Sequence, residues 1–461
     1  MRSIAPALLC VSTLIIGCNP RDIGPIDPHV SRFFHVDVGN DGVGDVDLLF
    51  VIDDSGSMAE EQASLEREIP RLIEGLTNPP LDAEGNPEWN AVQSLHVAVV
   101  TTNLGTRGVP VSSARVGAAC AASGGRGDDG ALRVTPACGP NAVLRWREGD
   151  DPAAFAAQVG CLTDAGTSGC GLEQPLAAAV LALDQPPGTT PFPRPEALLA
   201  VVVLSDEEDC SLGDAAGFFA GSETGRELNQ RCVREPNLLE PIDGLVAGLL
   251  AGRDPESFLF AALVGLPEDL QEASLETMLA DERMQYRLTS DNALGLVPAC
   301  ESFDSTTGES RGQAAPGRRY VELAQRFEGS LVRSICAESF QPAIAELTRR
   351  LGGRVSGVCA TRSLTPDAEG AVACEVRETL PEGARCLDLP ARSFLELSPE
   401  GREVCLVQQA VGTATVGWRY DADGSCEQVL YTEDAVPPFG TRVDLECLVD
   451  VEVPAPGSPT G

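Results

Sequence analysis

An aspartate followed at alternate positions by two serines, Asp53-x-Ser55-x-Ser57, sets one carboxylate and two hydroxyls close together in the chain. A second acid, Asp206, and a threonine, Thr167, stand much further along. Two carboxylates with three hydroxyls, and neither nitrogen nor sulfur, form an oxygen-only donor set suited to a hard cation. Mg2+ accepts few protein carboxylates and keeps water or an incoming oxygen in its octahedron, so this mixture suits it, with Mn2+ and Ca2+ as alternatives. The hydroxyls add oxygen without adding charge, which leaves such a metal electrophilic enough to accept an external carboxylate.

These residues stand where structural elements should end. Asp47–Ile52 is a short apolar run ending in acid, the pattern of a buried parallel strand. A helix should follow, with Met58, Leu65, Ile69, Leu72, Ile73 and Leu76 on one face and a kink at Pro70. His96–Thr101, Leu199–Leu204 and Phe258–Val264 read as further strands. Ser330–Ile335 is a weaker one that leads into a helix carrying Phe340, Ile344, Leu347 and Leu351. Buried runs alternating with amphipathic helices predict an α/β fold with a doubly wound, mostly parallel sheet. Two turn-rich insertions, about 105–150 and 266–328, interrupt it and hold cysteines. Ligands of such sheets sit outside the carboxyl ends of the strands. Asp53 follows the first strand and Asp206 the third, while Gly166–Gly169 precedes a helix starting near Leu172.

Asp53-x-Ser55-x-Ser57 resembles the DxSxS motif of the metal-ion-dependent adhesion site in von Willebrand factor A domains. Thr167 and Asp206 fall where that family's separate threonine and second aspartate lie. The phrases Val51–Met58 and Leu204–Cys210 also look like those of bacterial A-domain lipoproteins. The resemblance spans residues 44–352 and implies a VWA/Rossmann-like fold. It further implies a divalent cation held by Asp53, Ser55, Ser57, Thr167 and Asp206, with a carboxylate of a protein ligand completing the sphere. Asp and Ser are also good helix N-caps, but capping leaves Asp206 unexplained. Thr101, Thr102 and Thr163 are alternatives for Thr167. Glu207, Glu208 and Asp209 exceed the minimal pattern and read as a solvated acidic loop, or else as a shift of preference toward Ca2+.

Composition excludes several other classes. The formal charge of −36, with no Lys/Arg-rich run, argues against nucleic-acid binding and against anionic lipid as a partner. The chain has no lysine, which removes P-loop, Schiff-base and Ser–Lys chemistry. Of three histidines, His29 and His35 fall in a tether-like stretch, and His96 lies inside an apolar strand pattern and reads as a packed core residue. These absences favour a binding protein over an enzyme. One enzymatic alternative is a magnesium-dependent phosphohydrolase similar to the haloacid dehalogenases. It requires a second acid where Ser55 stands and a cation, usually lysine. A further alternative is an envelope scaffold with a purely structural metal.

Residues 1–17 have a charged start, a short apolar run and a small residue before Cys18, the pattern of a cleaved signal. Ile15-Ile16-Gly17-Cys18 resembles a bacterial lipobox, which implies diacylation of Cys18 and a membrane contact through lipid alone. Asn19 after it favours the outer over the inner membrane by analogy. Residues 18–43 then read as lipidated cysteine and tether. Of sixteen cysteines, Cys10 leaves with the signal and Cys18 takes lipid, leaving an even number for disulfides. Pairing nearest neighbours in sequence predicts 120–138, 161–170, 210–232 and 300–336. Beyond Gly353, six cysteines and the alternation Val443, Leu445, Cys447, Val449, Val451, Val453 predict a small Cys-rich β module over 353–461. The Gly/Asp-rich stretch 37–47 fails the EF-hand template and reads as a turn.

Overall fold

The computed structural model describes residues 30–38 and 44–451, apart from 82–87, 90, 186–189, 196, 254, 293, 304–305, 309, 357–365, 368–369, 382, 400, 422–427, 433–434, 436 and 439–440. Residues 1–17, read above as a cleaved signal, lie outside the described residues, as do Cys18, Cys359 and Cys426.

Apolar runs without alternation need both faces covered, and that is how the main sheet is built. Strands β1 (Asp45–Ile52), β2 (Ser94–Thr101), β3 (Val143–Arg147), β4 (Leu198–Leu204), β5 (Phe258–Val264) and β6 (Leu331–Ser334) lie in the order β3-β2-β1-β4-β5-β6. Every neighbouring pair is parallel except β2 with β3. Successive side chains of β1 point to opposite faces. Leu48, Phe50 and Ile52 meet helices α1 (Ala59–Thr77), α2 (Pro152–Thr163) and, later in the chain, Gln341–Ser356. Leu49 and Val51 meet α3 (Pro175–Leu183), α4 (Ile242–Leu250) and α5 (Arg318–Ala324). The fold is therefore mixed α/β with a mostly parallel six-stranded sheet. α1 runs as one helix through Pro70 and buries Leu65, Ile69, Leu72, Ile73 and Leu76 at helical spacing.

Two expectations about the insertions need correction. β3 lies inside the stretch read as the first insertion, yet it closes one edge of the main sheet. It is short, and only its antiparallel pairing to β2 reveals it. α5 lies inside the second stretch, yet Tyr320, Val321, Leu323 and Ala324 are core residues. The pairings 120–138 and 161–170 are also overturned. Cys120 joins Cys170 and Cys138 joins Cys161, whereas Cys210–Cys232 and Cys300–Cys336 pair as expected. Packing explains the exchange: Cys138 and Cys161 belong to the cluster of α1 and α2, while Cys120 and Cys170 pack with Leu172, Phe218 and Leu228 in a separate one.

A second, five-stranded sheet is wholly antiparallel. Its strands β7 (Cys374–Thr379), β8 (Arg392–Leu397), β9 (Glu403–Val407) and β10 (Arg442–Val451) are joined by an N-terminal strand, Val30–Val38. The N-terminal strand pairs with β10 from Val30↔Val451 to Val38↔Val443. This part of the presumed tether is thus sheet, which a composition averaged over Pro, Asp and Gly conceals. Val443, Leu445 and Cys447 are buried at alternate positions, and Cys374 faces Cys447 across the register in a disulfide. Cys386–Cys405 staples the far edge.

At the amino end of the main sheet, Arg194 neutralises two buried acids. Its guanidinium lies 2.9 Å from Asp45 and 2.7 Å from Asp47, and it also donates to the Ser94 hydroxyl. His96 is buried nearby, with Nδ1 3.1 Å from the Pro191 carbonyl, so Nδ1 carries the proton. Burial, with Arg194, Arg145 and Arg147, pushes its pKa down to about 4, which fits the packed core residue expected. Two predictions follow from this packing. Arg194→Met strands both acids and should cost about 3–5 kcal/mol, read as a lower urea midpoint; an unchanged midpoint would contradict the ion cluster. Non-reducing peptide mapping should recover Cys120 linked to Cys170 and Cys138 to Cys161, and a 120–138 peptide would refute the packing above.

Candidate metal centre

The carboxyl ends of β1 and β4 lie side by side. Asp53, the first residue beyond β1, donates its backbone N–H to the Leu204 carbonyl at 3.0 Å. Its carboxylate is fully buried; Oδ1 accepts from the Ser55 N–H at 2.8 Å and Oδ2 from the Ser205 hydroxyl at 2.6 Å. The chain turns from Ser55 to Met58 and enters α1. The Ser55 and Ser57 hydroxyls stand 3.3 Å apart, with Ser57 exposed. The cap of α1 is Met58, with no side-chain hydrogen bond, so neither Asp53 nor Ser55 serves as its N-cap.

Asp206 follows β4 and is 5% exposed. Its main-chain carbonyl accepts from Ala315, the Ser57 hydroxyl bonds its carboxylate, and Oδ1 has no partner. Burial, then the charge of Asp53, pushes its pKa up to about 8. Asp54 is raised to about 7 by burial and by Asp53 and Asp128, and its Oδ1 also lacks a partner. The structure thus brings Asp53, Ser55, Ser57 and Asp206 to one edge.

Thr167 is on an exposed loop that the same edge holds. Buried Gln62 of α1 donates to the carbonyls of Asp53 and Gly166, at 2.8 and 2.9 Å, and accepts from the Gly166 N–H. The Gly169 N–H donates to the Asp54 carbonyl at 2.7 Å. Thr167 has no hydrogen bond to the other four residues. The alternatives donate elsewhere: Thr101 to Asp128, Thr102 to Glu173 and Thr163 to the Gly160 carbonyl.

The acidic run after Asp206 is not a solvated loop. Asp209 is fully buried, 2.8 Å from Arg319, and accepts from the Leu176 N–H and the Ser211 hydroxyl. Glu208 is buried, raised to about 7 by that burial, and takes the Tyr286 hydroxyl at 2.6 Å and the Arg318 N–H at 2.8 Å. These acids satisfy the amino ends of α3 and α5, a tertiary role that sequence-local reading does not register. Sequence reasoning also passed over Glu173, which is 1% exposed just before α3. Burial, then Asp53 and Glu207, raises its pKa well above the usual range. Its only sequence signal is an acid set between a cysteine-rich loop and Pro175 at the start of an apolar helix.

Among the described residues, no three His, Cys, Asp or Glu side chains are placed to hold a metal by themselves. A cation at this edge therefore needs hydroxyl and water oxygens beside the two aspartates, and the serine hydroxyls and the unpartnered Asp206 oxygen fit that need.

No family model matches the chain, and no curated protein matches it. Solved structures do. Proximal thread matrix protein 1 from the mussel byssus is 8% identical over 68% of this chain and 49% of its own, with a TM-score of 0.27. The human COPII-coat protein Sec24c is 9% identical, covering 91% and 46%, at 0.32. The pilus adhesin SpaC from Lactobacillus rhamnosus GG is 8% identical, covering 88% and 39%, at 0.24. The chain spans less than half the length of each, and overlap this slight carries no argument about function.

Crowded acids make the edge unstable when nothing neutralises them. In chelator at pH 8, Asp206→Asn should raise stability by about 1–3 kcal/mol. A lower melting temperature for that variant would show that the carboxylate is compensated within the chain.

Proposed function

We propose that this chain is an exported, lipid-anchored binding protein that holds a divalent cation at the carboxyl edge of its main sheet. In this reading residues 44–352 form a doubly wound domain of the von Willebrand factor A type. The cation, Mg2+ foremost, takes Asp53, Ser55, Ser57, Thr167 and Asp206 as its ligands. Cys18 carries the lipid, and 353–461 form a Cys-rich β module.

One observation carries the proposal: Asp53 and Asp206 extend from adjacent parallel strands, deeply buried, with hydroxyl and backbone partners but, among the described residues, no cationic side chain paired to either. Strand order supports it. The chain leaves β1 toward β2 and β3 on one side and resumes on the other with β4, so both aspartates stand at the switch point where open α/β sheets receive ligands. The work of the chain's own residues is positional. Ser205 and the Ser55 N–H orient the Asp53 carboxylate, and Gln62 holds the Gly166–Gly169 loop against it. Exposed Ser57 marks the solvent side, from which a partner carboxylate would approach. A bound dication would supply the positive charge that lets a protein this acidic attract such a partner.

Titration calorimetry of the full chain with MgCl2, MnCl2 and CaCl2 tests this. Saturable binding that is lost in Asp53→Ala/Asp206→Ala is expected, together with a ligand-dependent rise in melting temperature for the wild type alone. Identical Mg2+ isotherms for the two proteins would end the proposal.

A further inference from the structure

A second pocket lies beyond Asp206, lined by Glu173, Glu207, Glu208, Asn229, the Cys210–Cys232 disulfide, Leu294 and Leu296. Its acids are not equivalent. Glu208 is fully engaged by the Tyr286 hydroxyl and the backbone N–H groups of Asp209, Arg318 and Arg319. Glu207 receives the Asn229 amide N–H on Oε2 at 3.2 Å, which orients its carboxylate. Glu173 is 1% exposed; Thr102 donates to Oε2, and Oε1 has no partner.

Buried polar atoms are almost always satisfied, so a carboxylate oxygen left bare on a pocket wall calls for a donor or a cation. No cationic side chain is among the described residues that line the pocket. Elsewhere in the chain a buried acid is met by arginine, as Asp209 is by Arg319. We propose that this pocket is a second cation site, separate from the centre at Asp53 and Asp206, in which Glu173 and Glu207 hold a divalent cation with water completing its shell, and Asn229 positions Glu207. Ca2+ is the matching chemistry. It accepts carboxylate and water oxygens in irregular arrangements, whereas Mg2+ demands a near-ideal octahedron. The disulfide and the two leucines enclose the pocket, so the cation would brace the loops over the sheet edge.

The inference stands whether or not the Asp53 centre binds metal, and the experiment keeps the two apart. Ca2+ titration and thermal melts are run on the full chain, on Asp53→Ala/Asp206→Ala, and on that variant with Glu173→Gln/Glu207→Gln added. The first double variant should still take up one Ca2+ per chain and melt higher with it. Adding the two glutamines should abolish the uptake and the shift without lowering the melting temperature in chelator, because neutral amides relieve repulsion. Asn229→Ala alone, which leaves every acid in place, should weaken uptake in the Asp53→Ala/Asp206→Ala background about tenfold. Absence of Ca2+ uptake by Asp53→Ala/Asp206→Ala, uptake that survives the glutamines, or an unchanged affinity in Asn229→Ala would each overturn the second site. Loss of Mg2+ binding on Glu173→Gln/Glu207→Gln but not on Asp53→Ala/Asp206→Ala would instead overturn the assignment of the first.

Discussion

A carboxylate removed from water must be repaid by a cation, by hydrogen-bond donors or by a proton. At the carboxyl edge of the main sheet Asp54, Glu173, Asp206 and Glu207 are gathered around Asp53, whose charge raises the pKa of all four. Arg133 offsets Asp54 only weakly. The parallel strands impose this crowding: adjacent strands lie about 5 Å apart, so residues following two of them are neighbours whatever their charge. Loop 166–169, the turn into α1 and the carbonyl contact from Asp206 to Ala315 all take their positions around that edge.

The rest of the molecule handles buried acid differently. Arg194 spans Asp45 and Asp47 at the opposite end of the same sheet, Arg319 meets Asp209, and Arg392 meets Glu378 at 2.6 Å with both side chains fully buried. Such pairs add little net stability but are costly to break. Arginine suits them because its planar fork satisfies carboxylate and carbonyl together, as Arg392 does with Glu378 and the Ala435 carbonyl. The contrast within one chain makes the unneutralised edge informative, since a scarcity of arginine does not cause it.

How much could be read in advance follows from where the determining information lies. Strands buried on both faces declare themselves: Phe258–Val264 was legible to the residue, and the limits of β1, β2 and β4 to within two. Asp53 and Asp206 were legible because each ends such a run. β3 and the N-terminal strand were not, since one is five residues long and both exist only by pairing with distant partners. Disulfides failed where sequence proximity and spatial proximity diverge, at Cys120 and Cys138, which belong to different clusters. Glu173 was hidden for a similar reason. Nothing beside it in sequence is acidic until the fold sets it near Asp53 and Glu207.

The N-terminal strand has a mechanical side. Val30–Val38 lies antiparallel along β10 over nine residue pairs, beside the cross-strand link between Cys374 and Cys447. Tension applied at the start of the chain would enter this ladder lengthwise and load its hydrogen bonds in shear, all together rather than one after another. The main sheet follows only after the strand, so the ladder would bear the pull before it reached β1 and the acidic edge above it. A pull from the amino end would thus be borne by this ladder while the acidic edge kept its shape.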